Sequence, residues 1–305
     1  MEAQSPKYPE KWLYKLLQLA AVCVLLGRAY QHWFWDAPYR AILWDESLMK
    51  PLVEGLFGVS WREYAGNVGV DRAVQAGMKV IGSLLAAGAV VAAFPRRFPA
   101  KARWILAVLS GWLVLLAFLY YKEQNFQVGQ FIEYALQAGA PLFFFLYMKK
   151  GGGLEPRLEA MMRWAAALTF VGHGLYAVGY YPRPGHFTVM VINSLGLPPD
   201  ASNQLLWVAG ILDFVAAALL ALPLPGRTWA LIYCVIWGFL TSIGRLTGNF
   251  HAEFFSSFLH QWLFEFVYRA PHFLLPLALV IHWFGRRQDG RLPVPRRVWE
   301  GFFRR

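Results

Sequence analysis

The chain has 305 residues, of which 57% are hydrophobic, 17% aromatic and only 15% charged, and its formal net charge is +11. Soluble domains carry about 25% charged residues, so this composition excludes an ordinary soluble protein, a disordered chain and a coiled coil. The two cysteines, Cys23 and Cys234, lie in apolar stretches and do not indicate a disulfide framework. We therefore expect lipid to cover much of the apolar surface.

Eight apolar stretches approach the length of about 20 residues that a membrane-spanning helix needs. In chain order they cover residues 12–29, 74–94, 104–121, 126–148, 164–181, 205–222, 228–243 and 262–284. Many begin or end at Trp or Tyr, which is typical of helices anchored at the membrane interface. The first stretch lacks a small-residue cleavage site, so we expect a retained helix rather than a signal peptide. The sequence thus predicts an all-α polytopic membrane protein with about eight transmembrane helices.

The distribution of lysine and arginine predicts the orientation of these helices. With eight spans, both termini and the even-numbered loops share one side of the membrane, and this side carries most of the basic residues. Because basic loops stay in the cytoplasm, we expect both termini to be cytoplasmic, in the inner membrane of a bacterium. Charges that flank membrane helices favour contact with anionic lipid and not with nucleic acid.

The two halves of the chain show a weak internal similarity. Residues 26–30 close the first apolar stretch and residues 171–175 lie in the later part of the fifth, and a loop with aromatics and proline follows in each case. Later in each half, an acidic residue stands among aromatic and aliphatic residues (Glu133 and Glu265) and a proline follows. We predict two pseudo-repeated four-helix units, residues 1–150 with a Trp-rich outer loop and residues 151–305 with a basic cytoplasmic tail. An even number of spans per unit predicts parallel repeats about an axis along the membrane normal.

The second half also carries a set of short motifs in a fixed order. They are Gly172-His173-Gly174, Pro184-Gly185-His186-Phe187 and Leu195-Gly196-Leu197-Pro198, followed by a helix with Asp213 near its middle. In this order they resemble the DoxX-like family of four-helix membrane proteins. The resemblance implies a buried carboxylate on the second helix of the unit and a role like that of the quinone-linked oxidoreductase subunits in this group. In the first half, Leu85 stands where the carboxylate would be expected.

His173 and Asp213 are the candidate catalytic residues. Each lies eight residues from the outer end of its helix, which is about 12 Å deep at 1.5 Å per residue. The two helices are adjacent and antiparallel, so we expect the two side chains to form a pair. A carboxylate beside an imidazole fixes the tautomer of the ring and raises its proton affinity.

Further ionisable residues in the outer halves of the helices are the candidate ligand-binding residues, namely Arg28, Glu133, Glu265, Arg269 and His272. Charged groups in lipid are costly and tend to face partners or cavities. The inner halves are apolar, so we predict a polar cavity open to the outer face above an apolar plug, which argues against a channel. The leading interpretation is a redox-accessory or binding subunit that holds a quinone or a lipid head group, with membrane lipid and other subunits of a membrane complex as partners.

Other interpretations remain open at this point. The buried charges could serve only helix packing in a structural or assembly subunit, or the protein could transport a small solute. Whether it catalyses a reaction is not determined. His251, Glu253 and His260 could supply nitrogen and carboxylate ligands to a metal, but their spacing matches no established pattern, so no metal site is predicted.

Overall fold

The computed structural model describes residues 8–151, 153–222 and 224–288, and every regular element in these ranges is helical. The α-helices are α1 Tyr8–Phe34, α2 Arg40–Leu43, α3 Glu46–Phe57, α4 Trp61–Gly66, α5 Val68–Ala93, α6 Ile105–Glu123, α7 Val128–Ile132, α8 Ala135–Lys149, α9 Pro156–Ala177, α10 Gly185–Leu195, α11 Pro199–Ala221, α12 Arg227–Thr247, α13 Phe255–Arg269 and α14 Pro271–Gln288. Short 3₁₀ turns cover Pro95–Arg97, Ala102–Trp104 and Ala252–Phe254.

Within the described ranges, seven helical stretches are long and apolar enough to cross a membrane. They are Glu10–Phe34, Val68–Ala93, Ala102–Glu123, Val128–Lys149, Pro199–Ala221, Arg227–Thr247 and Ala252–Gly285. An all-helical fold compatible with an integral membrane protein is therefore confirmed, with seven candidate spans in place of the eight predicted. The remaining predicted stretch corresponds to α9, a helix of 22 residues in which Arg163 and His173 lower the mean hydropathy.

The loop between α1 and α5 folds into three short helices, and polar side chains cap the second and the third of them. The Asp45 carboxylate accepts the backbone N–H of Leu48 at the start of α3, and Gly58 ends that helix in the left-handed conformation. Ser60 caps α4 in the same way. An ion pair between Asp45 and Lys122 ties this loop to the end of α6.

Two of the candidate spans are each divided into two helices. The stretch Val128–Lys149 divides into α7 and α8 at Glu133 and Tyr134, and the last span divides into α13 and α14 at Ala270. The second break precedes Pro271, which has no N–H to donate to the preceding turn. At each break, side chains from the end of one helix and from the start of the next lie at a similar depth along the bundle.

Helices α1 and α9 are the inner helices of the bundle. Helix α1 packs against α5, α8, α13 and α14, while α9 packs against α7, α8, α11 and α14. Towards the starts of α1 and α9 the core is apolar, and its fully buried side chains include Leu17, Leu85, Phe144 and Leu279. Polar residues become frequent in the core only towards the other end of the bundle, where Arg28, Gln137 and His272 are buried.

Two glycines let the inner helices approach the broken helices closely. A Cβ atom on Gly27 would lie 2.7 Å from the backbone nitrogen of Tyr268, and one on Gly172 would lie 2.7 Å from the carbonyl oxygen of Gly129. No side chain fits at either position, as is common where membrane helices cross closely. The next residues along the chain, Arg28 and His173, are thereby held beside the two breaks.

The division into residues 1–150 and 151–305 stays a prediction. Gly152, in the glycine-rich link between the two units, and the basic tail from residue 289 onward lie outside the described residues.

Candidate functional site

A cavity of about 290 Å³ lies at the end of the bundle where α1, α6, α9 and α12 end. We call it the site cavity. Six of the seven candidate residues line it, namely Glu133, His173, Asp213, Glu265, Arg269 and His272. The seventh, Arg28, lies behind the wall that Tyr134 and Tyr268 form. The sequence predicted the depth of these residues along their helices, and the structure places them at one end of the bundle. Their roles stay predictions.

Two guanidinium groups share one carboxylate in the wall of the site cavity. Oε2 of Glu265 lies 3.4 Å from Nη1 of Arg245 and 3.3 Å from Nη1 of Arg269. The buried Nε of Arg245 has no hydrogen-bond partner among the described residues. Glu133, also in the wall, accepts a hydrogen bond of 2.9 Å from the amide of Gln130. The guanidinium groups can therefore donate to an oxygen-rich group in the cavity.

Two imidazoles face one another in the wall of the site cavity. The rings of His173 and His272 are edge to face, with centroids 5.1 Å apart and an interplanar angle of 61°. Nδ1 of each ring is buried and has no hydrogen-bond partner within the described part of the chain. The sequence predicted the depth of both residues but not that they would meet.

Hydrogen bonds behind the cavity assign the tautomer of His272. A guanidinium group can only donate, so the 2.7 Å contact from Nη2 of Arg28 orients Oε1 of Gln137 towards Arg28. The Gln137 amide nitrogen then lies 3.3 Å from Nε2 of His272 and donates to it. Nε2 is thus the acceptor, and the ring proton of neutral His272 lies on the unpartnered Nδ1.

The predicted hydrogen bond between His173 and Asp213 is not formed. Oδ1 of Asp213 instead accepts from the hydroxyl of Tyr233 on α12 at 2.8 Å, and Oδ2 has no partner among the described residues. The same hydroxyl lies 3.1 Å from the carbonyl oxygen of Ala209. The depth argument placed both residues in the wall of one cavity, but depth does not fix the direction of a side chain around its helix axis. Asp213 turns towards α12, where a donor is available.

Arg28 is fully buried and pairs with no carboxylate in the part of the chain that the structure describes. Its guanidinium donates to Oε1 of Gln31 at 2.6 Å and to Oε1 of Gln137 at 2.7 Å. The guanidinium carbon lies 3.8 Å from the ring centroid of Tyr268 and 4.9 Å from that of Tyr134. Two amide acceptors and the aromatic faces thus stabilise the buried charge. This arrangement fits a residue that positions Gln137, and through it His272, rather than one that touches a ligand.

The outer wall of the site cavity is formed by α10 and the turn before it. Arg183 holds this turn, since it donates to Oδ1 of Asn203 and to the carbonyl oxygen of Ala177, both at 2.6 Å. Met190 packs against Gly244 on α12. Desolvation and the guanidinium groups of Arg245 and Arg269 lower the pKa of His186 to about 4, so this ring is neutral at pH 7.

Some lining residues were not predicted from the sequence. They include Arg245, Tyr134, Tyr176, Phe187, Met190 and Tyr268. In the sequence, the tyrosines are typical of interfacial anchors. Only their distance from the helix ends could have indicated that they line a cavity. Arg245 lies near the outer end of a predicted span, which is a usable signal because charge there is costly.

The structure does not group the three weak metal candidates, His251, Glu253 and His260. His251 and Glu253 are exposed, and Nδ1 of His260 lies 2.5 Å from the hydroxyl of Tyr30. In residues 8–151, 153–222 and 224–288, no group of three or more His, Cys, Asp or Glu side chains could hold a metal ion.

Comparisons with protein-family models, with curated proteins and with solved structures found no match for this chain. The resemblance to the DoxX-like family therefore stays a prediction from the short motifs of the second half.

Proposed function

We propose that the protein is a membrane-embedded binding subunit whose site cavity holds the polar head of an amphiphilic ligand. The observation that carries the proposal is a set of buried, unpartnered polar atoms in the cavity wall: Nδ1 of His173, Nδ1 of His272, Nε of Arg245 and Oδ2 of Asp213. More than about 90% of buried polar groups in proteins are hydrogen-bonded, and each unpartnered one costs about 1–3 kcal/mol. Four of the eight buried polar atoms without a partner among the described residues lie in the wall of this one cavity, which supports a ligand that would supply their partners.

A quinone is the ligand that we propose. Its two ring carbonyls are acceptors, which Nδ1–H of His272 and the guanidinium of Arg245 could serve. Phe187, Met190 and Phe264 supply apolar surface for the ring, and about 290 Å³ suits a head group of one or two rings. If the ligand undergoes redox chemistry, His173 would hold or pass a proton, and Arg269 would stabilise negative charge on the ring oxygen.

Extraction of the purified protein tests this proposal. The full chain is isolated in mild detergent and its bound small molecules are identified by mass spectrometry; a stoichiometric quinone is the expected result. Added short-chain benzoquinone should raise the melting temperature, because a ligand that binds only the folded state stabilises it. The His272→Leu variant should lose this shift, whereas His251→Leu, at an exposed histidine outside the cavity, should keep it. Absence of quinone after extraction, with no shift from added benzoquinone or naphthoquinone, would overturn the proposal.

The cluster around Arg28, whose guanidinium donates to two glutamine side chains, favours a second candidate, a structural or assembly subunit without a ligand. The Arg245→Gln variant separates the two. If the cavity binds a ligand, the unchanged protein shows a melting-temperature shift with added benzoquinone and this variant loses that shift, while loss of the ion pair with Glu265 also lowers its melting temperature without ligand. If the charges only hold the helices together, the melting temperature falls and there is no binding to lose. A transporter is not favoured, since the core beyond the cavity is apolar.

We also propose that α9 is an eighth span and that the chain consists of two pseudo-repeated units. Equivalent close approaches support this. Gly82 on α5 approaches residues 32–33 at the end of α1, and Gly210 on α11 approaches residues 177–178 at the end of α9. Gly82 corresponds to Gly210, and residues 32–33 correspond to residues 177–178, so the two contacts occupy equivalent positions in the two proposed units.

The contacts of the broken helices also support a duplication, but they align the two halves differently from the sequence match at these helices. Gly27 approaches residues 264–268, and Gly172 approaches residues 129–133. Glu133 then corresponds to Tyr268 rather than to Glu265, the residue that the sequence match paired with it. In the same register Gln137 corresponds to His272, and these two residues meet in the structure.

We propose that the end opposite the site cavity is cytoplasmic, in a bacterial inner membrane, so that the cavity faces outward. Single cysteines at Lys150 and at Glu253 test the orientation with a membrane-impermeant maleimide on intact cells. Only the second should be labelled, and labelling of the first alone would reverse the orientation.

A further inference from the structure

A second and larger cavity, of about 840 Å³, lies at the opposite end of the bundle. We call it the basic-end cavity. It lies where α1 and α6 start and where α5 and α8 end. Five basic residues line it, namely Lys11, Lys15, Arg96, Arg97 and Arg103, and Glu10 is the only acidic residue in its described lining.

The charges in this cavity are held in place but not neutralised. Arg103 donates to the carbonyl oxygens of Pro95 and Phe98, at 3.0 and 3.4 Å, which orders the turn between α5 and α6. Arg97 stacks on the ring of Phe94. Within the described residues, none of the five basic side chains forms an ion pair with a carboxylate. The cavity therefore presents a concentrated, uncompensated positive charge.

The surroundings of the basic-end cavity place it at the level of the lipid phosphates. Trp12 and Trp104 are about half exposed beside it, and each stands where an apolar span begins. Exposed tryptophan at the end of a span marks the membrane interface. Apolar side chains continue from the cavity along the helices: Leu19 lies one turn beyond Lys15 on α1, and Val90 lies one turn before Phe94 on α5, both exposed.

We propose that the basic-end cavity binds the phosphodiester head group of an anionic phospholipid, with the acyl chains along the exposed faces of α1 and α5. Basic pockets between membrane helices are suited to anionic head groups, and guanidinium groups bind phosphate oxygens in pairs. The arginines supply this chemistry with no carboxylate paired to them among the described residues, and the exposed apolar faces are continuous with it. This inference is independent of the ligand proposed for the site cavity.

Lipid titration followed by native mass spectrometry of the full chain in detergent tests the proposal. The probes are phosphatidylglycerol and phosphatidylcholine. The variant Arg96→Gln/Arg97→Gln removes two charges from the cavity. Its control, Lys101→Gln/Arg157→Gln, removes two exposed charges that do not line it.

We expect the unchanged protein to bind phosphatidylglycerol in preference to phosphatidylcholine. At about fivefold in affinity for each basic residue near the lipid surface, the cavity variant should bind phosphatidylglycerol roughly 25-fold more weakly. The control variant should bind it nearly as well as the unchanged protein. The charge-conserving variant Arg96→Lys/Arg97→Lys should retain most of the affinity, which excludes misfolding as the cause of the loss.

Three results would overturn the proposal. Equal weakening in the cavity variant and its control would indicate diffuse attraction to the whole basic surface. Equal binding of the two lipids would remove the charge argument. Displacement of phosphatidylglycerol by inorganic phosphate, with phosphate bound at the same cavity residues, would assign the site to a free anion instead of a lipid.

Discussion

The close crossing of α9 and α7 gives the most direct test of the helix packing that builds the site cavity. We consider the replacement Gly172→Ala. A Cβ atom at this position would lie 2.7 Å from the carbonyl oxygen of Gly129 and 2.8 Å from the backbone nitrogen of Glu133. Both are backbone atoms, so neither can rotate away as a flexible side chain could. One helix must move as a whole.

The magnitude follows from this geometry. An ordinary van der Waals contact begins at 3.4 Å, so the helices must separate locally by about 0.7 Å. A gap of this size forfeits a quarter to a half of the dispersion energy of the atoms around it, and a methyl group forced into a packed core costs about 1–3 kcal/mol. Alanine also favours a helix by about 1 kcal/mol over glycine. The control Gly111→Ala shares that gain, because Gly111 lies inside α6 with nothing within 4 Å of its Cβ position.

The assay is equilibrium unfolding of the two variants by sodium dodecyl sulfate in mixed micelles. The helix-propensity gain cancels between them, so the free energy of unfolding of Gly172→Ala should be lower than that of Gly111→Ala by about 1–3 kcal/mol. Displacement of Glu133, which borders Gly172, should also weaken ligand binding in the site cavity. Equal stability of the two variants would refute the close crossing and, with it, the position of the α7–α8 break.

Three further predictions concern single side chains. Tyr233→Phe removes the hydroxyl that donates to Asp213 and should lower the free energy of unfolding by about 1 kcal/mol; the same assay should show a smaller loss in an Asp213→Leu background, where only the carbonyl oxygen of Ala209 remains as an acceptor. Arg28→Lys keeps the charge but cannot donate to both glutamines in the planar geometry of a guanidinium, so a loss of about 1–2 kcal/mol is expected by the same assay. Hydrogen bonds from Lys122 and from the loop around Asp45 lower the pKa of the Asp45 carboxyl. The stability that ionised Asp45 gives to the loop is therefore present above the ordinary pKa near 4 and is lost as the pH falls through the lowered value. Limited proteolysis should accordingly cut the α2–α4 loop faster at strongly acid pH. The Asp45→Asn variant should be cut faster already at pH 7. Cutting of the unchanged protein at a rate that does not depend on pH would contradict the role of this ion pair.

Much of this protein is determined by local patterns along the chain. Apolar stretches of spanning length, with Trp or Tyr at their ends, are properties of single helices in lipid and need no knowledge of neighbours. The depth of a residue such as His173 or Asp213 also follows from counting along its own helix. For this reason the sequence could predict that the costly ionisable groups lie at one end of the bundle.

The tertiary structure decided which of these groups meet. A count along a helix gives depth but not the direction of a side chain relative to the other helices, so the sequence paired Asp213 with His173 whereas the fold gives it Tyr233. The hydrogen bond from Arg28 to Gln137 joins residues 109 positions apart, and no local pattern encodes that contact. The close crossings at Gly27 and Gly172 arise from packing between distant segments, and together with the two helix breaks they set His272 beside His173.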